Sequence, residues 1–215
     1  MIRKFDMQNE FERKTGLDSA IAAARRGDLV VFPTDTVYGL GTDAFSRIGP
    51  EKLLNAKGRG RDMPIPVLVG HAKALEGLAF QLDSVTKSLA EAFWPGGLTI
   101  VVKMQPTLSW DLGETNNTVA LRMPLHPVAI ELLNAVGPMA VSSANKTGQP
   151  AATNVEEAIN QLQEAVTIYL DGGNTPGNIA STIIDVSHGE KRILRQGVVS
   201  VEEIRQVVPD VVVVS

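Results

Sequence analysis

The chain has 215 residues, 44% of them hydrophobic and 20% charged, which is ample apolar material for one core and predicts a single domain over residues 1–215. Cysteine is absent, which excludes disulfides, a thiol nucleophile and thiolate zinc sites, and the histidines His71, His126 and His188 lie far apart, so no protein-held metal is expected. A formal net charge of -4 argues against coating nucleic acid by bulk electrostatics, and without a signal-like leader or a bilayer-length apolar run the expectation is a cytoplasmic protein with no membrane partner.

Taken in chain order, the first predicted helix has Asp18 as its N-cap, carries Arg25 and Arg26 in its last turn and stops at Gly27. A buried strand over 29–32 is closed by Pro33 and releases Thr34-Asp35-Thr36-Val37-Tyr38-Gly39-Leu40-Gly41, which reads as a functional loop. A helix over 50–56 and a strand over 65–69 leave Lys57-Gly58-Arg59-Gly60-Arg61 on the connection between them. Then come a helix over 84–93, strands over 98–102 and 118–121, a helix over 128–136 ended by Gly137, and a strand over 139–141 with Ser142-Ser143-Ala144-Asn145 at its tip. Thr153 with Glu156, or Asn154 with Glu157, is spaced as a capping box ahead of a helix; 167–170, 182–186 and 192–194 look extended; and Ser200 with Glu203 repeats the box. Strands interleaved with helices define an α/β fold, a twisted mixed β-sheet flanked by helices, with loops at strand ends shaping a concave active-site surface.

Two segments carry candidate chemistry. Lys57, Arg59 and Arg61 place three cations within five residues, and the intervening glycines let backbone approach a ligand, which suits a polyphosphate. An isolated basic cluster is more often a solvated turn; here Pro64-Ile65-Pro66-Val67-Leu68-Val69 leads it straight into a buried strand, which would hold it against the core. The Ser142–Asn145 segment offers hydroxyl and amide groups to a carboxylate or phosphate, although from that stretch alone an ordinary Ser/Asn turn closed by Gly148 is the better reading. No serine-hydrolase elbow and no Walker loop is present, and Gly39-Leu40-Gly41 lacks the third glycine of a dinucleotide fingerprint. Trp94 reads as packing a helix end, and Asp171-Gly172-Gly173 reads either as a turn or as a carboxylate near a metal-bound phosphate.

In this order, Phe32-Pro33-Thr34-Asp35-Thr36-Val37-Tyr38-Gly39-Leu40-Gly41, Lys57-Gly58-Arg59, Trp94-Pro95-Gly96-Gly97-Leu98-Thr99, Val119-Ala120-Leu121-Arg122-Met123-Pro124, Ser143-Ala144-Asn145 and Leu170-Asp171-Gly172-Gly173 resemble the YrdC/TsaC family. The resemblance runs over about residues 27–199, within a motif-bearing core of about 18–207, and the chain is similar to the short members without an extra C-terminal domain. It departs from the family pattern at Gly60, Gly97 and Ser142, where proline is common.

The resemblance implies an L-threonylcarbamoyladenylate synthase, a nucleotidyltransferase that makes its product and pyrophosphate from L-threonine, bicarbonate and ATP for threonylcarbamoyladenosine modification of tRNA. It implies Lys57, Arg59, Ser143 and Asn145 as catalytic residues, and Thr34, Thr118, Arg122, Ser181 and Arg195 as ATP- or threonine-binding, with Arg61 assisting. Mg²⁺ is expected to arrive with ATP, held by phosphates and water rather than by a protein cage. Downstream threonylcarbamoyl-transfer proteins, and tRNA itself, are the expected partners. Two other readings remain open at this point: a module that binds double-stranded RNA or tRNA without chemistry, and a superfamily relative with a different carbamoylating or nucleotide-hydrolysing activity.

Overall fold

A computed structural model describes residues 1–214. The elements run β1 (Arg3–Asp6), α1 (Glu10–Arg25), β2 (Val30–Phe32), β3 (Gly39–Asp43), α2 (Gly49–Lys57), β4 (Val67–Leu68), α3 (Ala74–Leu78), α4 (Ser84–Phe93), β5 (Leu98–Lys103), β6 (Thr118–Arg122), α5 (Pro127–Val136), β7 (Met139–Ser143), α6 (Val155–Leu162), β8 (Ile168–Asp171), β9 (Thr182–Asp185), β10 (Arg192–Arg195), α7 (Val201–Val207) and β11 (Val212–Val213). All the strands join one mixed sheet in the order β1-β8-β2-β3-β7-β4-β6-β5-β9-β10-β11. The pairs β2/β3, β5/β6 and β9/β10 are antiparallel, whereas β4/β6 and β5/β9 are parallel. The predicted α/β class, a mixed sheet flanked by helices, is the architecture found.

Because side chains alternate across a strand, each strand feeds two different layers. Val31, Leu40, Val67, Ile100, Leu121 and Ile184 point into the larger core, packed with Leu53 and Leu54 of α2, Leu89 of α4, Ala158 and Leu162 of α6 and Ile204 of α7. Val30, Phe32, Leu68, Met139, Val141, Ile168 and Leu170 point the other way, under Leu17, Ala20 and Ala24 of α1 and Val128, Leu132 and Leu133 of α5. That second face is only partly roofed. Where α1 and α5 end, Val101, Ala120 and Ile183 open onto a cleft instead of a helix. Residues of β3 and β10 both line it, although on a flat sheet six strand spacings would separate them by about 29 Å. The sheet therefore curls around the cleft, as the predicted concave surface requires.

Several local expectations are corrected. The first helix starts at Glu10, not after Asp18: Asn9 caps it by accepting from the amides of Phe11 and Glu12. Its first turns carry little apolar periodicity, since Phe11 is 89% exposed, and Gly16 sits within it because a Cβ there would lie 2.7 Å from Phe5. The segment 39–43 is a central strand rather than a loop; Gly39 and Gly41 suit it because a Cβ at either would come within 3.0 Å of Val141. α2 extends through Lys57, so the basic cluster begins on a helix. β4 shrinks to Val67–Leu68 because Pro64 and Pro66 have no amide to give a ladder. β7 continues through Ser143, which places both serines on a strand. Asn154, not Thr153, caps α6, and the Ser200–Glu203 box forms as expected.

Candidate functional site

The segment after β2 is held by its own polar groups. The Thr34 hydroxyl donates to the Val37 carbonyl (2.6 Å) and accepts from the Thr36 amide (3.2 Å), a turn that suits a chain leaving a strand at Pro33. Asp35 Oδ1 accepts from Arg122 Nη2 (2.6 Å) and from the Leu125 amide (2.9 Å). Arg122 also donates through Nη1 to Thr36 Oγ1 and through Nε to the Gly96 carbonyl, both at 2.9 Å. One guanidinium thus joins β6, the 34–38 segment and the turn before β5. Its side chain is 7% exposed and that of Asp35 14%, so the pair is held out of water. The Tyr38 hydroxyl donates to the Gly173 carbonyl (2.6 Å) and accepts from the Gly172 amide (3.0 Å), and burial raises its pKa.

The basic segment follows from the way α2 ends. Gly58 takes the left-handed conformation (φ 61°) that closes the helix and turns the chain toward β4. Lys57, only 4% exposed, aims its ammonium at the end of β7: Nζ donates to the carbonyls of Ser143 (2.6 Å) and Asn145 (2.7 Å) and to Asn145 Oδ1 (3.2 Å). Asn145 in turn donates through Nδ2 to the carbonyls of Lys146 (3.0 Å) and Gln149 (2.7 Å), and the Thr147 amide reaches the Lys57 carbonyl (2.9 Å). Lys57 and Asn145 therefore clamp the helix end to the turn. Burial, and secondarily the charge of Arg59, bring the Lys57 pKa down to about 8.

Arg59 points into the cleft with few partners. Nη1 donates to Ser142 Oγ and Nη2 to the Pro64 carbonyl, both at 3.2 Å, while the buried Nε has no partner. Across the cleft, Arg195 donates through Nε and Nη2 to the Ser181 carbonyl (3.0 and 2.7 Å) and through Nη2 to Ser181 Oγ (3.0 Å), which shares a 2.8 Å hydrogen bond with Thr99 Oγ1. Among the described residues neither arginine has a carboxylate partner. Burial lowers the pKa of both, and the charge of Arg59 adds to the lowering at Arg195. Two cations, both short of counter-charge, form an electropositive cleft with an unmet demand for an anion.

The cleft encloses about 1090 Å³ including solvent at its mouth. Its floor is apolar, from Leu68, Val101, Ala120, Val141 and Ile183, and its rim is basic and hydroxylated. Of the residues singled out from sequence, Thr34, Arg59, Arg122, Ser143, Ser181 and Arg195 line it. Lys57 and Asn145 lie just behind the wall. Arg61 does not line the cleft: it is exposed and pairs with Asp111 at 2.6 Å. Thr118, at the start of β6, donates to the Thr115 carbonyl (2.7 Å) and lies outside the lining as well. Trp94 is buried, with Nε1 donating to the Leu98 carbonyl (2.7 Å), as its packing role predicts. Asp171 caps a turn through the Gly173 amide (3.0 Å).

Four residues at the site stood in motifs read from the sequence without a role of their own: Asp35, Thr36, Thr99 and Ser142. Thr99 sits two residues before Val101 on the same face of β5, and its place in the Trp94–Thr99 motif was the available signal. Ser142, part of the polar turn but also a departure from the family's proline, supplies a hydroxyl to Arg59. The other two departures are also accommodated: a Cβ at Gly97 would fall 2.1 Å from Val198 Cγ2, and one at Gly60 would fall 2.2 Å from Asp62 Oδ1.

Fold and cleft together define an α/β protein with a basic-rimmed, apolar-floored cleft on one face of its sheet. The sequence profile of the Sua5/YciO/YrdC family, described as "Telomere recombination", matches residues 22–197, and the chain belongs to this family. It is 55% identical over 203 residues to a Mycobacterium leprae protein provisionally named a threonylcarbamoyl-AMP synthase, covering 94% of this chain and 92% of that one. The structure of Pyrococcus abyssi Sua5 complexed with L-threonine superposes with a TM-score of 0.90 at 32% identity, over 99% of this chain and 62% of that one. Escherichia coli YciO superposes with a TM-score of 0.85 at 25% identity, over 95% of this chain and all of the other.

Proposed function

We propose that this chain is an L-threonylcarbamoyladenylate synthase acting in the cytoplasm on the route to threonylcarbamoyladenosine in tRNA. The observation that carries this reading is the pair Arg59 and Arg195, cations without carboxylate partners on the rim of one cleft, in a chain whose relatives bear that name. A threonine-bound relative with the same fold favours a small-molecule site over a surface that merely grips RNA.

In the proposed reaction the threonine amine adds to carbon dioxide derived from bicarbonate, losing a proton and giving a carbamate. A carbamate oxygen then attacks the α-phosphorus of ATP, the bond to the β-phosphate oxygen breaks, and pyrophosphate leaves. No enzyme nucleophile is needed, so positioning and charge stabilisation are the protein's contribution. Arg59 is assigned to stabilise charge on the phosphates, with Ser142 bonded to it and Ser143 lining the same cleft. Arg195, steadied by Ser181 and Thr99, supplies the second cation. Thr34 and Arg122 are assigned to the threonine side, where Arg122, committed to Asp35, Thr36 and Gly96, holds the wall of the cleft in shape. Lys57 and Asn145 keep the end of β7 and the turn after it in the shape this chemistry uses.

The residues present do not form a metal cage. Among the described residues no three His, Asp or Glu side chains converge on a common point, and Asp35, beside the cleft, is committed to Arg122. This fits Mg²⁺ entering with ATP and held by phosphates and water, where it would neutralise phosphate charge. The product is a reactive mixed anhydride, so a separate threonylcarbamoyl-transfer protein that engages tRNA is the proposed partner.

The deciding experiment is mass spectrometry of the products from ATP, threonine and bicarbonate. Threonylcarbamoyladenylate and pyrophosphate are expected, dependent on all three reactants and abolished in folded Lys57→Ala protein. Pyrophosphate release indifferent to threonine would overturn the assignment.

A further inference from the structure

The connection between β5 and β6, residues 104–117, contributes no residue to the cleft wall, yet it grips the loop that carries Arg59. The Ile65 amide donates to the Leu112 carbonyl at 2.9 Å, and the Glu114 amide donates to the Arg61 carbonyl at 2.8 Å. Two rungs thus bracket residues 61–65 from outside. Gly113, between them, adopts φ +99°, and a Cβ there would lie 2.8 Å from the Arg61 carbonyl oxygen and 3.4 Å from Pro64 Cα. Only glycine combines that backbone with so close an approach. Leu112, 1% exposed, anchors the bracket in the core.

The same connection is tied to the other end of α2. Trp110 stacks on Phe45, which precedes that helix, with ring centroids 5.1 Å apart, and its indole Nε1 donates to Met104 Sδ at 2.8 Å. Among the described residues the Arg59 guanidinium has two hydrogen-bond acceptors, Ser142 Oγ and the Pro64 carbonyl, and Pro64 belongs to the bracketed stretch. A displacement of Pro64 therefore moves one of the two anchors of the guanidinium. The exposed Arg61–Asp111 pair is a minor part of this arrangement, since surface ion pairs contribute little.

We propose that the β5–β6 connection is the positioning device for Arg59, acting through Leu112, Gly113 and Glu114 on residues 61–65 and through Pro64 on the guanidinium. The proposal rests on the synthase reading above. It assigns no substrate contact to the connection: these are positioning residues, and their effect passes through Arg59. A small misplacement of a charge-stabilising group costs far more in turnover than in stability.

The test is a double-mutant cycle. Gly113→Ala is made in the wild-type and Arg59→Ala backgrounds, and ATP affinity is measured by calorimetry on protein shown by circular dichroism to be folded. In the wild-type background Gly113→Ala is expected to weaken ATP binding several-fold and to lower kcat by about tenfold to a hundredfold. The KM for threonine should move by no more than about threefold. In the Arg59→Ala background the same substitution should weaken ATP binding no further. An equal loss in both backgrounds, or no loss in the wild-type background, overturns the proposal. If Gly113→Ala does not fold, Trp110→Leu, at a partly exposed position, carries the same cycle with the same outcomes. Wild-type protein that fails to bind ATP overturns the functional reading and the proposal with it, whereas additive losses in a protein that does bind ATP overturn the positioning role alone.

Discussion

Arg122 and Arg59 line the same cleft, and their surroundings differ in kind. Arg122 is buried, ion-paired to Asp35 and bonded to Thr36 and Gly96; Arg59 has one hydroxyl, one carbonyl and a buried Nε with no partner. The first cation is satisfied by the protein and holds three segments together. The second is left short of partners at the wall of the cleft. A charge that the fold has not neutralised marks where ligand charge belongs, whereas a fully paired one marks architecture.

The largest expected effect breaks the satisfied side. Arg122→Ala strands Asp35 in a mostly buried position and should cost about 3–5 kcal/mol, seen as a fall in the thermal midpoint of about 6–20 °C. Arg122→Lys should recover little, because an ammonium cannot reach Asp35, Thr36 and Gly96 in one plane. On the other side, Arg59→Ala should lower kcat by about 10²- to 10³-fold with a thermal midpoint close to wild type. Should Arg59→Ala melt like Arg122→Ala, the distinction between the two cations fails.

A third expectation sharpens the contrast through pH. Lys57 loses its proton near pH 8 in the folded protein, against 10.5 for a free lysine. As pH rises through about 8, its amine has one donor fewer for the Ser143 and Asn145 acceptors, so turnover should decline. The stability term has the opposite sign: between about pH 8 and 10.5 the unfolded lysine binds more protons than the folded one, so this group's contribution to stability rises with pH. Activity and thermal midpoint measured across that window on wild-type protein check both signs.

The smallest effect concerns His126, which lies outside the cleft. Its buried Nδ1 has no partner, and burial lowers its pKa below 6.5, opposed by Asp35 and reinforced by Arg13. As pH falls below 6.5 the unfolded histidine takes up its proton first, so stability should fall, and His126→Gln should flatten that slope in thermal melts between pH 7 and 5.

The α/β class and most of the strands were legible because short apolar runs punctuated by Gly and Pro announce a buried sheet. β1 and the first turns of α1 were not, since Phe5 and Met7 are isolated apolar residues and the helix begins on a polar stretch stabilised by its cap and by packing against β1. β3 was hidden because glycines at 39 and 41 look like a loop until Phe32 and Val141 are seen pressing on them. In the site, Arg59 was visible as part of a motif, but the difference between it and Lys57 was not: which cation faces solvent and which faces main-chain carbonyls depends on where α2 ends relative to β7. Arg61 and Thr118 illustrate the same limit. Their residue types suit the chemistry, and their positions place them outside the cleft lining.

The Lys57 clamp grips chiefly the peptide backbone, taking the carbonyls of residues 143 and 145 whatever side chains stand there. The hydroxyl at 143 is thereby freed from any duty to the scaffold. A substitution at 143 therefore leaves both carbonyl contacts open to Lys57, so the frame of the cleft is insulated from the side chain that lines it there.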